Sequence, residues 1–312
     1  MIQGNYDQSS IYWNNVLKLC PNYDAAYINL ARTDIQNKEY SNALHKLIGT
    51  GNLEYYSDAF KGIREMLIRN NFTFIFVGIF VLIALTLILK FIIKKYHGMN
   101  TIFSCAIIKE YRFSNHCMFH PFDGFWDLKR EKRGSLRAAN LLMLAFIFMY
   151  ALRTQYSGYI FTGKLSSKIN ILYEIVKIIL PLLLWCVSNW SFTTLMDGEG
   201  SLKDIYVATS YALKPYIITA IPLFILSHCL SADEAFIYTS LSTIVIIWTL
   251  SLIFLGMMVT HDYSMIKAIV TLVLTLIGIC LILFLGMVFS NIIQDIFSLC
   301  SDIYKEMTYR LY

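Results

Sequence analysis

The sequence predicts an all-α, polytopic membrane protein with six transmembrane helices and a small helical module ahead of them. Hydrophobic residues make up 57% of the 312 residues, and charged residues only 15%. Soluble domains carry about 45–50% apolar and about 25% charged residues. The hydrophobic residues also come in long blocks, as in segments that cross a bilayer. This composition excludes a soluble enzyme, a nuclear factor and a disordered tail.

Residues 1–70 have the patterning of soluble helices and contain a weak repeat with a period of 34 residues. The paired positions are Tyr6 with Tyr40, Ser9 with Ala43, and Trp13 with Leu47. Pro21 ends the first helix, and the segment YDAAYINLAR opens the next. This pattern resembles the tetratricopeptide (TPR) repeat, in which each helix pair leaves an apolar face that the next pair covers.

The module departs from the full TPR pattern, because Tyr27, Leu30 and Ala31 replace its Trp and its Leu-Gly pair. We expect the first repeat to lack its first helix, which leaves about one and a half repeats where about three are needed for stability. The module is therefore expected to begin in mid-fold or to lean on another structure. A generic helical hairpin is the alternative interpretation.

Six apolar blocks follow, and their lengths suit helices that span a bilayer. They cover residues 72–93, 136–156, 172–195, 205–230, 235–260 and 268–290. Arg137 and Arg153 flank the uncharged part of the second block, so we expect them to snorkel to the two interfaces. Lys214-Pro215 and Pro222 are expected to break the fourth block into an interfacial helix and a short span, and no charge is expected at mid-depth.

The predicted domains follow from these blocks. They are a TPR-like module (1–70), a single anchor helix (72–93), a basic amphipathic linker (94–137), a five-span membrane domain (138–290) and a tail (291–312).

Positive charge predicts the orientation in the membrane. The linker holds nine of the 26 Lys and Arg residues, and positive charge resists translocation, so we expect this loop in the cytoplasm. The TPR-like module would then be extracytoplasmic, although no secretory signal peptide precedes it. Either the true start lies upstream, which we favour, or the module is cytoplasmic and the charge rule fails.

An aromatic cluster and a basic cluster lie side by side in the linker, and together they predict a segment anchored at the cytoplasmic membrane surface. Its residues are Phe119, Phe122, Phe125, Trp126, Lys129, Arg130, Lys132 and Arg133. The alternative is an ordinary helix end with positive-inside charge. Near it, His116, Cys117, His120 and Asp123 are residue types that bind zinc, but their spacing fits no established pattern, so no metal is expected.

Two further polar features lie among the spans. Asp197, Gly198, Glu199 and Gly200 predict a tight turn in which the glycines permit positive φ and the acids cap the next helix; an ion or partner contact is the alternative. Glu174 and Lys177 are three residues apart on one helix, so they are expected to form an intramembrane polar pair or a snorkelling surface pair.

Two segments carry a resemblance to a known family. They are HPFDGFWDLKREKRGSLRAAN (120–140) and WCVSNWSFTTLMDGEGSLKDIYVATSYALKP (185–215). Both resemble the bacterial branch of the Yip family of Ypt-interacting proteins, over roughly residues 115–290. The resemblance implies a five-span membrane domain with its N-terminal side in the cytoplasm. Eukaryotic members bind small GTPases in vesicle traffic, but no residue here requires such a partner.

The sequence contains no GxSxG, HExxH or P-loop motif, so we expect no enzymatic activity and no cofactor. The predicted function is a membrane scaffold or adaptor that works in the lipid bilayer. It would bind protein partners through the TPR-like module or the bundle, and no nucleic acid. The alternative is a transporter, or an accessory subunit of a transport complex for carbohydrate uptake, which rests on analogy alone.

Overall fold

The computed structural model describes residues 6–95, 106–163 and 169–311. These residues are predominantly α-helical, and none of them lies in a β-strand. Five helical segments are long and apolar enough to cross a membrane, and a bent helix before them raises the number to six. The predicted all-α, multi-pass membrane architecture is therefore confirmed.

Within the described ranges, the elements follow one another as thirteen α-helices and one short 3-10 helix. They are α1 (Tyr6–Leu19), α2 (Asp24–Gln36), α3 (Tyr40–Leu47), α4 (Leu53–Lys95), α5 (Ala106–Phe119), α6 (Pro121–Arg130), α7 (Leu136–Tyr156), α8 (Tyr159–Thr162), α9 (Ile171–Leu195), α10 (Leu202–Ala212), α11 (Lys214–Ser227), the 3-10 helix (Ala232–Glu234), α12 (Ala235–His261) and α13 (Met265–Leu311).

These elements form two compact units, each drawn from several parts of the chain. The first comprises Met1–Lys109, Phe148–Glu174 and Pro215–Trp248. The second comprises Glu110–Ile147, Ile175–Lys214 and Thr249–Tyr312.

The N-terminal module of the first unit is built from α1, α2, α3 and the start of α4. Its core is made of small and aliphatic side chains, namely Ala31, Ala43, Leu47 and Ala59, all fully buried. Such residues let helices approach closely, and Tyr55 and Tyr56 pack against this core from α4. The module is thus a compact helical layer, and whether it is TPR-like or a generic helical hairpin stays open as predicted.

Most of the residues predicted to pack TPR-like repeats lie in this layer. Leu30, Ala31, Ala43 and Leu47 are buried, and Ser9 and Trp13 are half-buried. The hydroxyl of Tyr27 donates to the carbonyl of Pro21 over 3.0 Å, which ties the turn to α2. Tyr40 lies so close to Gly62 that a Cβ on the glycine would be 2.5 Å from the ring.

The structure contains the helix that the sequence predicts to end at Pro21. Tyr6 begins α1, a helix of 14 residues that packs against α2. In the 34-residue repeat α1 corresponds to α3, so the expectation that the first repeat lacks its own first helix stays a prediction.

Helix α4 connects the module to the first apolar block without a loop. Its helical dihedrals are interrupted at Asn71 (φ −116°, ψ 15°), between the module and the predicted anchor 72–93. The side-chain amide of Asn71 donates to the carbonyl of Leu67, four residues earlier, over 3.1 Å. An asparagine that bonds its own backbone in this way competes with the helix and favours a kink.

The structure gives the details of two predicted spans, the fourth and the sixth. The fourth is divided at Leu213 into α10 and α11, next to Pro215, as expected from a residue that lacks an N–H group. Pro222 lies inside α11 without ending it. The helix that contains the sixth block does not end at residue 290, since α13 continues through the predicted tail 291–312 as far as Leu311.

Candidate functional site

The linker segment predicted to anchor at the membrane surface forms the end of α5 and all of α6. Pro121 occupies the first turn of α6, where a missing N–H costs nothing, and Lys129 and Arg130 lie in its last turn. Phe119, the last residue of α5, and Phe122 and Trp126, one turn apart on α6, are more than half exposed. These three side chains are the part of the segment that remains available to lipid.

Phe125 has a different environment from the other three aromatic residues. Its side chain is 0% exposed. A Cβ on Gly256 of α12 would lie 3.1 Å from its ring, so the ring packs directly against the backbone of that helix. Phe125 therefore holds α6 onto the bundle of the second unit instead of reaching into the bilayer.

The basic residues of the segment are largely engaged by acids of the same unit. Lys129 Nζ lies 3.0 Å and Arg130 Nη2 2.9 Å from the same carboxylate oxygen of Glu199. Arg133 pairs with Asp127 at 3.0 Å and with Glu131, while Lys132 is exposed with φ 51°. Consequently the segment offers less free positive charge to an anionic leaflet than its sequence suggests.

The predicted turn 197–200 lies directly against this segment. The hydrogen bond and charge of Lys129, with the charge of Arg130, lower the pKa of Glu199. Positive φ occurs at Asp197 (54°) and not at Gly198 or Gly200. Ser201, whose side chain accepts from the Asp204 N–H, caps α10 in a capping box, so the predicted capping by Asp197 and Glu199 is wrong.

The two glycines of the turn serve close packing. A Cβ on Gly198 would lie 2.5 Å from the Tyr263 hydroxyl, and one on Gly200 would lie 2.6 Å from Cε1 of His261. Both distances are shorter than real Cβ contacts, so only glycine lets the turn approach these rings. We refer to Glu199, Gly198 and Gly200 with Lys129, Arg130, His261 and Tyr263 as the turn site.

His261 links the turn site to a buried polar network that the sequence analysis missed. The Gly200 N–H donates to His261 Nδ1 over 3.2 Å, so the proton resides on Nε2, which lies 3.2 Å from the amide oxygen of Asn189. Asn189 in turn donates to the hydroxyl of Thr275 over 3.3 Å. The sequence signal was faint: a histidine just after the uncharged fifth block, and an asparagine within the third block.

The pairing at Glu199 gives a pH-dependent prediction. Because the pKa of Glu199 is lowered, its ion pairs add stability at neutral pH and lose it as the pH falls through that lowered value. The thermal midpoint of the wild type in detergent should therefore exceed that of Glu199→Gln slightly at pH 7, and the difference should vanish on acidification. Asp123→Asn, an exposed acid of α6, is the control. A difference that persists in acid would contradict the assignment.

Candidate metal ligands near α6 do not converge. The rings of His116 and His120 stack with centroids 4.9 Å apart, and burial raises the pKa of the Cys117 thiol to about 12. A thiol held protonated in this way is a poor metal ligand. No group of three or more His, Cys, Asp or Glu among the described residues is arranged to hold a metal ion.

Polar residues within the spans have defined partners. Arg153, expected to snorkel outward, donates to the hydroxyls of Tyr238 and Ser242 over 3.1 and 2.7 Å. Glu174 accepts a hydrogen bond from the Tyr150 hydroxyl over 3.4 Å. Lys177 lies one turn further along α9, and its predicted pairing with Glu174 stays a prediction.

Lys214 lies at the predicted break in the fourth block. It is only 3% exposed and lies where α10 gives way to α11. Its ammonium group is 3.6 Å from the centroid of the Tyr111 ring, a cation–π contact that stabilises a buried cation. The predicted interfacial position of α10 stays a prediction.

The N-terminal module contacts two loops of the first unit, and we call this the docking contact. Arg64 of α4 forms a two-pronged ion pair with Glu234 at 2.5 and 2.9 Å. Lys61 pairs with Asp233 at 3.1 Å, and the Ser57 hydroxyl accepts from the Ala232 N–H at 2.8 Å. The predicted dependence of the module on another structure thus corresponds to a particular surface.

The helix α8 completes the docking contact. The rings of Tyr56 and Tyr159 have centroids 4.7 Å apart, and the Gly49 N–H donates to the Tyr159 hydroxyl. A Cβ on Gly158 would lie 2.1 Å from the carbonyl oxygen of Ser227, so this loop also depends on a glycine. A cavity of about 260 Å³ remains beside these residues, bordered by Phe60 and His228 as well.

Comparison with known proteins identifies the family. The Yip1 domain model matches residues 116–287, which is more than half of the chain and extends from α5 into α13. No curated protein and no solved structure matches the chain. The matched range contains the turn site, its buried network and the broken fourth span. The chain is therefore a multi-pass membrane protein that belongs to the Yip1 domain family.

Proposed function

We propose that the protein is a non-enzymatic membrane scaffold of the bacterial Yip type, whose TPR-like module binds a protein partner outside the cytoplasm. The observation that carries this proposal is the docking contact. It fixes the module by α4 and the loops, and leaves the outer surface of α1 exposed. Ile11, Tyr12 and Leu19 are 61%, 72% and 89% exposed on that surface.

The contacts between loops support the proposed topology. A chain that crosses a membrane twice returns to the same side. Glu199, which follows α9, pairs with Arg130, which precedes α7, and Asp262, which follows α12, lies 3.9 Å from Arg130. Two spans separate Arg130 from Glu199 and two more separate Glu199 from Asp262, so their proximity agrees with a common side.

Counting spans in the same way supports placing the module on the opposite side of the membrane from the linker. The docking contact uses Tyr159 and Glu234, which lie in loops one span away from the positions on the common side. A module held there and a linker on the common side require the segment between them to cross the bilayer. The apolar half of α4 would supply this sixth span, and the nine Lys and Arg residues of the linker favour the cytoplasm for the common side.

Cysteine labelling tests this topology. Cys20 and Cys229 are exposed, so an impermeant maleimide should label both in intact cells. Asp123→Cys, at an exposed position of α6 in a background whose other exposed cysteines are replaced by serine, should react only after lysis. Labelling at Cys20 and Cys229 is the control for Asp123→Cys, and Asp123→Cys is the control for these two positions. Protection of Cys20 until lysis, with labelling of Asp123→Cys in intact cells, would reverse the orientation.

Partner binding through α1 has its own test. A charge at a central aromatic contact commonly weakens a protein interface at least tenfold. We expect Tyr12→Asp to abolish co-purification of the partner from mild detergent, whereas Asn14→Asp, the same charge change on another side of α1, should preserve it. Equal recovery with both variants would refute binding by this surface.

A transport role is the second candidate, and Lys214 is the observation that favours it. Ionisable residues within a bilayer often mark an ion or substrate path, and broken helices often form the binding site. Substrate flux in liposomes containing the protein alone, reduced in Lys214→Met, would replace the scaffold proposal. A stable permease or ATPase partner without such flux would favour an accessory subunit.

A further inference from the structure

The cavity beside the docking contact is bordered by three separate parts of the first unit. Its walls come from α4, from the turn before α8 with α8 itself, and from the end of α11 with the loop that follows. Its volume of about 260 Å³ equals about nine water molecules at about 30 Å³ each. Pockets for drug-sized ligands have about 300–1,000 Å³, so an occupant of this cavity would be smaller, of the size of a monosaccharide.

The walls of the cavity are aromatic and polar but carry no formal charge. Tyr56, Phe60 and Tyr159 contribute rings, and no Asp, Glu, Lys or Arg is among the described residues that line it. Arg64 lies one turn from Phe60 on α4, and its charge is already matched by Glu234. A charged ligand would lose its hydration here without gaining an opposite charge, so the walls favour an uncharged ligand.

Several hydrogen-bonding groups on these walls have capacity to spare. The Tyr56 hydroxyl has no hydrogen-bond partner among the described residues. The Tyr159 hydroxyl accepts from the Gly49 N–H over 3.3 Å, and no described residue accepts its own proton. His228 Nδ1 lies 3.0 Å from the Phe224 carbonyl, which can only accept, so the proton of the neutral ring is on Nδ1 and Nε2 is an acceptor. The cavity is therefore bordered by two hydroxyls and one imidazole nitrogen that can bind a ligand.

Ser157 adds an orphaned polar atom to the same walls. Its hydroxyl oxygen is buried and has no hydrogen-bond partner among the described residues. Buried polar groups are nearly always hydrogen-bonded, because an unsatisfied one lowers the stability. A serine hydroxyl turns by rotation about one bond, so an occupant of the cavity would supply the partner that this group lacks.

We propose that this cavity is a binding site for a small, uncharged molecule rich in hydroxyl groups, a polyol or a monosaccharide. Its hydroxyl groups would accept from Tyr56 and Tyr159 and donate to Nε2 of His228, while its C–H groups would pack on the aromatic rings. This division of labour, in which rings supply contact area and a few polar groups fix the orientation, is usual for small-molecule sites.

Cations and anions fit the cavity less well. Aromatic rings attract cations, but no carboxylate lines these walls, and the guanidinium of Arg64 lies close by. An anion would have to take Arg64 from Glu234, with which it forms a two-pronged ion pair.

The occupant would also join the module to the loops that hold it. Tyr56 belongs to α4, Tyr159 to α8, and His228 follows α11, so a ligand bound by all three bridges segments that are far apart in the sequence. It would strengthen the docking contact in addition to the ion pairs there. This inference does not depend on partner binding by α1, so either proposal can fail without the other.

Equilibrium dialysis of the purified full chain tests the site. The detergent should have no sugar head group, because such a group would compete for the cavity. Radiolabelled glycerol, myo-inositol and glucose are the probes, at concentrations up to the millimolar range. At least one of them should bind saturably, with one molecule per chain. Absence of saturable binding for all three, or saturable binding of labelled choline or inorganic phosphate in their place, would overturn the proposal.

A double substitution locates the binding in the cavity. Tyr56→Phe with His228→Phe keeps two rings but removes the hydroxyl and Nε2, so the affinity for the bound probe should fall about tenfold. Tyr12→Phe with His45→Phe makes the same chemical changes at exposed positions of α1 and α3 and should leave the affinity unchanged. Equal affinity in the two double variants would overturn the proposal. If the first double variant does not fold, Tyr56→Phe alone, compared with Tyr12→Phe, gives the same test, because the Tyr56 hydroxyl has no partner in the structure to lose.

Discussion

Replacing Gly200 by alanine should lower the stability of the protein by about 1–3 kcal/mol, the usual cost of forcing extra volume into a packed site. The new Cβ would lie 2.6 Å from Cε1 of His261 and 2.9 Å from Cγ2 of Thr260. Neither neighbour is the free end of a flexible chain, since His261 is held by Asn189. The turn must therefore move away, which also stretches the Gly200 N–H bond to His261. The thermal midpoint of the purified full chain in detergent reports this loss.

Gly286→Ala provides the matched control for this prediction. Gly286 lies in α13, and a Cβ there meets nothing within 4 Å. Alanine is favoured over glycine in a helix by up to about 1 kcal/mol, so this variant should be neutral or slightly more stable. If both variants shifted the midpoint equally, close packing of the turn would not explain the glycine at position 200.

The second large effect is expected for His261→Leu. Leucine fills a similar volume but cannot bond, so the amide oxygen of Asn189 and the Gly200 N–H both lose the partner they have in the structure. Each buried polar group that loses its hydrogen-bond partner lowers the stability by about 1–3 kcal/mol. We expect a marked fall in the thermal midpoint, and easier proteolysis of the loop 196–201 in the purified protein.

His45→Leu is the control for His261→Leu. His45 lies on α3 with its side chain exposed, so the same chemical change there removes no buried contact and should shift the midpoint little. A neutral His261→Leu variant would indicate that the network contributes nothing beyond packing.

The spans could be predicted from the sequence because hydropathy depends on composition alone. Residue 71, left between the predicted module and the predicted anchor, is where the structure interrupts α4. The break in the fourth span followed from Pro215, which has no N–H to donate. The family assignment also followed from local motifs, and the Yip1 domain match confirms it.

The candidate sites were harder to predict, because they depend on which helices meet. His261 and Asn189 are 72 residues apart, and no local pattern joins them. Phe125 differs from Phe122 only in the side of α6 on which it lies. From the sequence, Lys129 and Arg130 were expected to face the membrane surface. In the structure, the turn places Glu199 beside them. In each case the prediction needed contacts between residues that are far apart in the sequence, and local patterns do not show these contacts.

Helix α4 has a mechanical consequence. It continues from the module without a loop, and Arg64 ties it to Glu234 two turns before the interruption at Asn71, so the module is held in one orientation within the first unit. The partner proposed for α1 would therefore take its orientation from the same ion pair.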